Sequence, residues 1–169
     1  MTTIHLIEGP VGAGKSTTAA GMSRELNIAC LDLDDWMVTL FSPDRPDAGF
    51  MQWYGERKSR CLEQIWKVAE RLLAVSDGVI LELGLVQRAD RAAFYQRVDE
   101  SGHDLIVHLL DVPEETRLDR VWQRNQSRSG TFKMEVTDEI FEIANAAWQP
   151  PDEVEIELRD IRRIVQPSL

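Results

Sequence analysis

The chain has 169 residues, 43% of them hydrophobic, and a formal net charge of −10. That length suits one compact domain, residues 1–169. The acidic balance, with a pI near 4.8, disfavours a non-specific nucleic-acid binder; no apolar stretch approaches membrane-spanning length, and Met1-Thr2-Thr3 lacks the basic start of a signal peptide.

Taken in order, residues 3–8 read as a strand ending at Glu8. Gly9-Pro10-Val11-Gly12-Ala13-Gly14-Lys15-Ser16-Thr17 follows. It matches G-x-x-x-x-G-K-[ST], the phosphate-binding loop between a strand and a helix. Glycines let the backbone curl so that several N–H groups point at one phosphate chain, and the helix start adds partial positive charge. Gly9, Gly12, Ala13, Gly14, Lys15, Ser16 and Thr17 are therefore the expected nucleotide contacts. Lys15 is expected to reach the β- and γ-phosphates of ATP and Ser16 to ligate Mg²⁺.

Residues 15–27 read as a helix and 28–33 as a second strand. That strand ends in Leu31-Asp32-Leu33-Asp34-Asp35-Trp36. Strand alternation would put Asp32 and Asp34 on one side, near the mouth of the loop. Phosphoryl transfer needs a carboxylate near the metal and one that orients or deprotonates the acceptor hydroxyl. Asp32 is assigned to the Mg²⁺ shell, Asp34 to the acceptor, and Asp35, pointing the other way, to capping the next segment. Trp36, Phe41, Phe50, Trp53 and Tyr54 lie beside Asp44 and Asp47. They read either as an acceptor pocket for an amphipathic or cationic molecule or as core. Arg57, Lys58 and Arg60 could equally hold an anion, so the acceptor's charge stays open.

A long helix is expected over 49–75, from apolar residues at three- and four-residue spacing. Asp77-Gly78 is a turn and 79–83 a buried third strand carrying Glu82. A lone carboxylate there is costly without a partner, so Glu82 should reach metal, substrate or an arginine. Arg88, after that strand, is a candidate substrate contact. Residues 90–100 read as a helix, 105–110 as a fourth strand, and Pro113 with Glu114 and Glu115 as the start of a further helix. That helix carries Arg117, Arg120 and Arg124, with a polar break expected at 125–131. Arg120 and Arg124 share a face and are candidate phosphate ligands. Thr137 is expected to cap a helix ending before Pro150-Pro151, and a last strand is expected near 154–158. From Glu135 to Glu157 acids recur without Lys or Arg, as on a solvated face. The two cysteines, Cys30 and Cys61, have no metal-site spacing and suit a reducing compartment. His5, His103 and His108 show no ligand spacing either.

Alternating strands and helices imply an α/β fold: a three-layer P-loop NTPase fold, with a mostly parallel sheet of about five strands and helices on both faces. The loop at 9–17, the D-x-D after the second strand and the arginine-bearing helix after the fourth resemble the small P-loop kinases. These comprise AAA-type and zeta-toxin-like kinases, shikimate and gluconate kinases, chloramphenicol phosphotransferase and the kinase domain of polynucleotide kinase. Asp34-Asp35-Trp36 is similar to the Asp-Asp-aromatic of polynucleotide kinase. The resemblance implies an ATP- and Mg²⁺-dependent kinase; the absent signal-peptide start, the lack of a membrane-length apolar stretch and the cysteine usage lead to the expectation of a cytoplasmic protein. Asp34 would be the base, and a helical lid at about 117–137 would close over ATP. Its partner would be a small-molecule acceptor, a metabolite or antibiotic, rather than nucleic acid or a membrane. A nucleotide-sugar or nucleic-acid end kinase of toxin type, or an ATP-binding switch without an acceptor, are the competing expectations. The oligomeric state is left open.

Overall fold

The computed structural model describes residues 2–128 and 135–165. Among the described residues five strands form one sheet: β1 (Thr3–Glu8), β2 (Ala29–Asp32), β3 (Gly78–Glu82), β4 (Asp104–Asp111) and β5 (Asp160–Val165). Their spatial order is β2-β3-β1-β4-β5, and every neighbouring pair is parallel. β1 sits between β3 and β4, so its apolar run is covered on both faces. Side chains alternate between two cores. Ile4, Leu6, Val79 and Leu81 face one, packed with Cys61, Ile65 and Ala69 of α3 (Phe50–Leu73) and Phe94 and Val98 of α4 (Arg88–Ser101). Ile7, Ile80 and Leu110 face the other, against Ala19 of α1 (Lys15–Leu26). The three-layer arrangement brings the C-terminal ends of β1, β2 and β3 to one edge, where ligands bind in open parallel sheets.

Three expectations need correction. The segment from Leu33 is not strand but α2 (Leu33–Phe41), followed by a 3₁₀ turn at Ser42–Asp44. The last strand is not at 154–158: that stretch is α7 (Glu153–Leu158), whose first turn is capped by Asp152 accepting from the Glu155 N–H at 2.9 Å. The strand comes later, as β5. The polar break expected from 125 is helix as far as Ser127, the end of α5 (Glu114–Ser127). Of the expected lid at 117–137, residues 129–134 lie outside the described residues. Thr137 does cap α6 (Asp138–Ala147), accepting from the Ile140 N–H. Among the described residues no helix is long and apolar enough to cross a membrane.

A buried ion pair ties the layers together. Arg91 of α4 is fully buried and donates to both carboxylate oxygens of Glu155 on α7, at 2.8 and 2.9 Å. Nearby, Glu8 is 1% exposed, and among the described residues its Oε1 has no hydrogen-bond partner. Burial pushes the Glu8 carboxyl up to about 8, against the pull of Lys15, Arg91 and Lys58 and with a smaller push from Glu155.

Replacing Arg91 with Met leaves Glu155 buried without its partner and is expected to cost about 3–5 kcal/mol, read as a lower urea midpoint. Glu8 gives a pH signature. Folded Glu8 holds its proton to about pH 8, whereas the unfolded group loses it near its ordinary value of 4.5. The folded state therefore binds more protons between those values. Stability from this group is full at the acid end and declines as pH rises, by at most about 1.4 kcal/mol per pH unit. Glu8→Gln should flatten that decline in urea melts run from pH 5 to 9.

Candidate active site

β1 delivers the chain to the phosphate-type loop at the sheet edge. Gly12 has φ +77, and a Cβ there would meet the Arg117 carbonyl oxygen at 2.6 Å, so only glycine fits between loop and α5. Gly14, at φ +92, is the N-cap of α1 and supplies no side-chain cap. The first-turn N–H groups of α1 are therefore left for a ligand. Ala13, within the loop, is buried in the second core. Lys15 Nζ donates to the carbonyls of Gly9, at 2.9 Å, and Pro10, at 3.0 Å.

Ser16 Oγ donates to Glu82 Oε1 at 3.1 Å. Glu82 ends β3; it is 6% exposed, and among the described residues its Oε2 has no hydrogen-bond partner. Burial, with the charges of Asp32 and Asp34, pushes it up to about 7 against Lys15 and the Ser16 hydroxyl.

The D-x-D segment reaches the site differently from expectation. β2 stops at Asp32, whose Oδ1 accepts the N–H groups of Asp34, at 2.8 Å, and Asp35, at 3.2 Å. Asp32, not Asp35, is the cap, and it starts α2. Asp32 and Asp34 therefore do not share a strand face. Asp34 stands in the first turn of α2 and lines a cavity of about 240 Å³, and Asp32 does not line it. The same cavity is bounded by Lys15, Ser16 and Thr17, by Glu82, and by Arg124. Its far wall is Phe50, Trp53 and Tyr54 of α3, with ring centroids 5.9 Å apart for Phe50–Trp53 and 5.7 Å for Phe50–Tyr54. Burial and the Asp34 charge push the Tyr54 hydroxyl up to about 12.

α5 presents its arginines along one stripe. Arg117 is buried and donates to the carbonyls of Val112 and Val11 and to Asn145 Oδ1; it braces the loop from outside. Arg120 reaches the Ala13 carbonyl at 3.4 Å. An open depression between α1 and α5 is lined by Gly12, Gly14, Thr17, Arg24, Arg120 and Arg124. Arg124 lines both spaces; among the described residues its buried Nε has no hydrogen-bond partner, and burial lowers its pKa while Asp34 opposes.

The four substrate candidates divide. Trp53 and Glu82 line the cavity. Trp36 instead packs against the main core, and Arg88 is drawn to Asp152 at 2.6 Å, outside the cavity lining. Arg57 lies over Trp53 and donates to its carbonyl, and Lys58 donates to the Gly84 carbonyl; neither lines the cavity. Sequence reasoning missed Met37, Val38 and Arg45, which do. The i, i+3, i+4 relation of Asp34, Met37 and Val38 was the available signal for the first two; nothing local marked Arg45. His5 and His108 pair with each other at 3.0 Å, and His103 with Thr2 at 2.7 Å. Among the described residues no group of three or more His, Cys, Asp or Glu side chains is arranged to hold a metal.

A family model described as an AAA domain matches residues 4–151, and the chain belongs to that family. Comparison with curated proteins gives no match. Solved structures share the fold. An unliganded sugar kinase from Janibacter sp. HTCC2649 is 18% identical with a TM-score of 0.59, covering 99% of this chain and 87% of that one. The APS kinase of Mycobacterium tuberculosis, solved with AMPPNP and APS, is 18% identical with a TM-score of 0.62, covering 99% and 90%. A gluconokinase from Sinorhizobium meliloti 1021 is 16% identical with a TM-score of 0.63, covering 98% and 84%. The fold is that of the P-loop kinases.

The corrected role of Asp32 has a direct test. Asp32→Ala removes the α2 cap and should cost about 1 kcal/mol in chemical denaturation. Asp32→Asn keeps an accepting oxygen and should lose less than half of that.

Proposed function

We propose that this chain is a phosphotransferase that moves the γ-phosphate of Mg-ATP to a hydroxyl of a small molecule. One observation supports this most: Asp34 and the loop residues Lys15 and Ser16 line a single cavity. A nucleotide switch has no use for a carboxylate on the acceptor side. The solved structures of similar fold include kinases named for a sugar, for gluconate and for APS, which supports a small acceptor. The acidic balance of the chain points the same way, away from a nucleic-acid end. We infer one catalytic domain, and a cytoplasmic setting from its two free thiols.

Each residue then has a task. The uncapped start of α1 and the loop N–H groups hold the phosphate chain. Lys15, released from the Gly9 and Pro10 carbonyls, turns to the β- and γ-phosphates. Arg120 and Arg124 neutralise charge on the transferring group. Ser16 and Glu82 are suited to Mg²⁺: their oxygens adjoin, and the buried Oε2 of Glu82 has no hydrogen-bond partner among the described residues. Glu82 takes the place expected for Asp32, whose Oδ1 is engaged in starting α2. Mg²⁺ keeps several waters and phosphate oxygens, so few protein ligands suffice; when bound it neutralises charge on the β- and γ-oxygens. Asp34 accepts the acceptor's hydroxyl proton as that oxygen attacks.

An acceptor screen over hydroxylated metabolites and antibiotics, read by ADP release, tests the reading. Lys15→Ala should abolish transfer with the fold intact; turnover near wild type at saturating ATP removes the proposal. Asp34→Asn should still bind ATP but lower acceptor phosphorylation by about 10²–10⁴-fold, with background hydrolysis falling less. Glu82→Gln and Ser16→Ala should each raise the Mg²⁺ concentration needed for half-maximal rate, and Asp32→Asn should not.

A further inference from the structure

The cavity contains more cation than the nucleotide needs. Lys15 and Arg124 flank the loop, and the phosphates account for them. Arg45 lies elsewhere. It follows the 3₁₀ turn at Ser42–Asp44, lines the same cavity, and places its guanidinium 4.3 Å from the centroid of the Phe50 ring. Among the described residues no carboxylate lies within ion-pairing distance of it, although Asp44 adjoins it in sequence and the chain is strongly acidic. A guanidinium held over an aromatic face leaves its N–H edge free, and that edge matches a carboxylate or phosphate in two parallel bonds. Phe50 is itself part of the stacked wall with Trp53 and Tyr54, so the cation and an apolar, ring-sized surface adjoin. Asp34 lines the cavity from α2, on the loop side of its chemistry.

We infer that the acceptor is an amphipathic hydroxy acid: a hydroxyl at Asp34, a planar or apolar body on Phe50, Trp53 and Tyr54, and an anionic group, carboxylate or phosphate, on Arg45. The inference rests on the phosphotransfer reading for the word acceptor and adds the charge and shape of the molecule. A cationic acceptor would set its charge against Arg45, the lining cation that the phosphates leave unengaged. A neutral one would leave the Arg45 edge unused when the cavity loses its water. Anion recognition here also orients the substrate, since Arg45 and Asp34 fix its two ends.

The test uses three probes of one shape: 4-(hydroxymethyl)benzoate, 4-(hydroxymethyl)phenylphosphonate and 4-(hydroxymethyl)benzamide. Each is titrated calorimetrically into the full chain with Mg²⁺ and a non-hydrolysable ATP analogue. The two anions should bind about 10- to 100-fold more tightly than the amide, the range of a charge-assisted pair. Arg45→Met should bring all three within about twofold, and Arg45→Lys should restore part of the gap, with nucleotide affinity unchanged in both. The carboxylate and phosphonate arms tell which anion is preferred. An amide that binds as well as the anions overturns the inference. So does a gap that survives Arg45→Met, or no anion binding at 10 mM, on the order of the weakest small-fragment affinities. Incubation of the same probes with Mg-ATP separates the two readings. If the amide is phosphorylated as readily as the anions, phosphotransfer stands and the anion subsite falls. If the anions bind through Arg45 and no probe is phosphorylated, the subsite stands and the phosphotransfer reading is the one in difficulty.

Discussion

The close approach of Gly12 to the first turn of α5 governs the site. The loop must turn its N–H groups inward toward one anion, which leaves its outer carbonyls without a strand or helix ladder. α5 answers that need: the Arg117 guanidinium takes the Val11 carbonyl, and the Arg117 carbonyl sits where any Cβ at position 12 would be. The contact also sets the register of α5. Residues 117, 120 and 124 fall on one stripe of a helix. With 117 fixed under the loop, 120 comes to Ala13 and Gly14, and 124 enters the cavity. One backbone contact thus places the arginines that a phosphoryl group would meet.

The sheet edge below holds several buried acids, and their carboxyls are handled in two ways. Glu155 is paired in both oxygens with Arg91. Glu8 and Glu82 have burial as the dominant force on them and are held toward their neutral forms. A buried ion pair is weak evidence for stability, because desolvation consumes most of its attraction. Here its effect is positional. Arg91 also reaches the Leu85 carbonyl at 3.4 Å, and Lys58 reaches that of Gly84 at 3.1 Å. The chain leaving β3 is therefore pinned just beyond Glu82, and Glu82 is held against Ser16.

Much of this was legible in the sequence where local pattern and fold agree. The apolar run, the glycine spacing and Lys15-Ser16 define β1, the loop and α1 almost residue for residue. Reading failed where a short side chain redirects the backbone. At Asp32 one carboxylate oxygen takes two N–H groups and begins a helix at Leu33, the residue expected to end the strand. At 153–158, Val154, Ile156 and Leu158 alternate like a strand, yet they are exposed and Glu155 is the buried residue. β5 escaped notice because it is an edge strand, and its charged Asp160, Arg162 and Arg163 are what an edge requires.

The change of period at Asp32 then reorganises the pocket. On a strand, Asp34 and Trp36 would share a side, and Trp36 would be a natural acceptor contact. On a helix they lie about 200° apart, so a cavity that holds Asp34 sends Trp36 to the core. The residues that accompany Asp34 are those three and four further on, Met37 and Val38, and both line the cavity. On α3 the same period groups Phe50, Trp53 and Tyr54, and one turn further Arg57 closes over Trp53 at 4.5 Å. The cavity is the gap between these two stripes. Arg45 enters it from the connection between the helices, where no periodicity operates, and only the meeting of α2 and α3 reveals it.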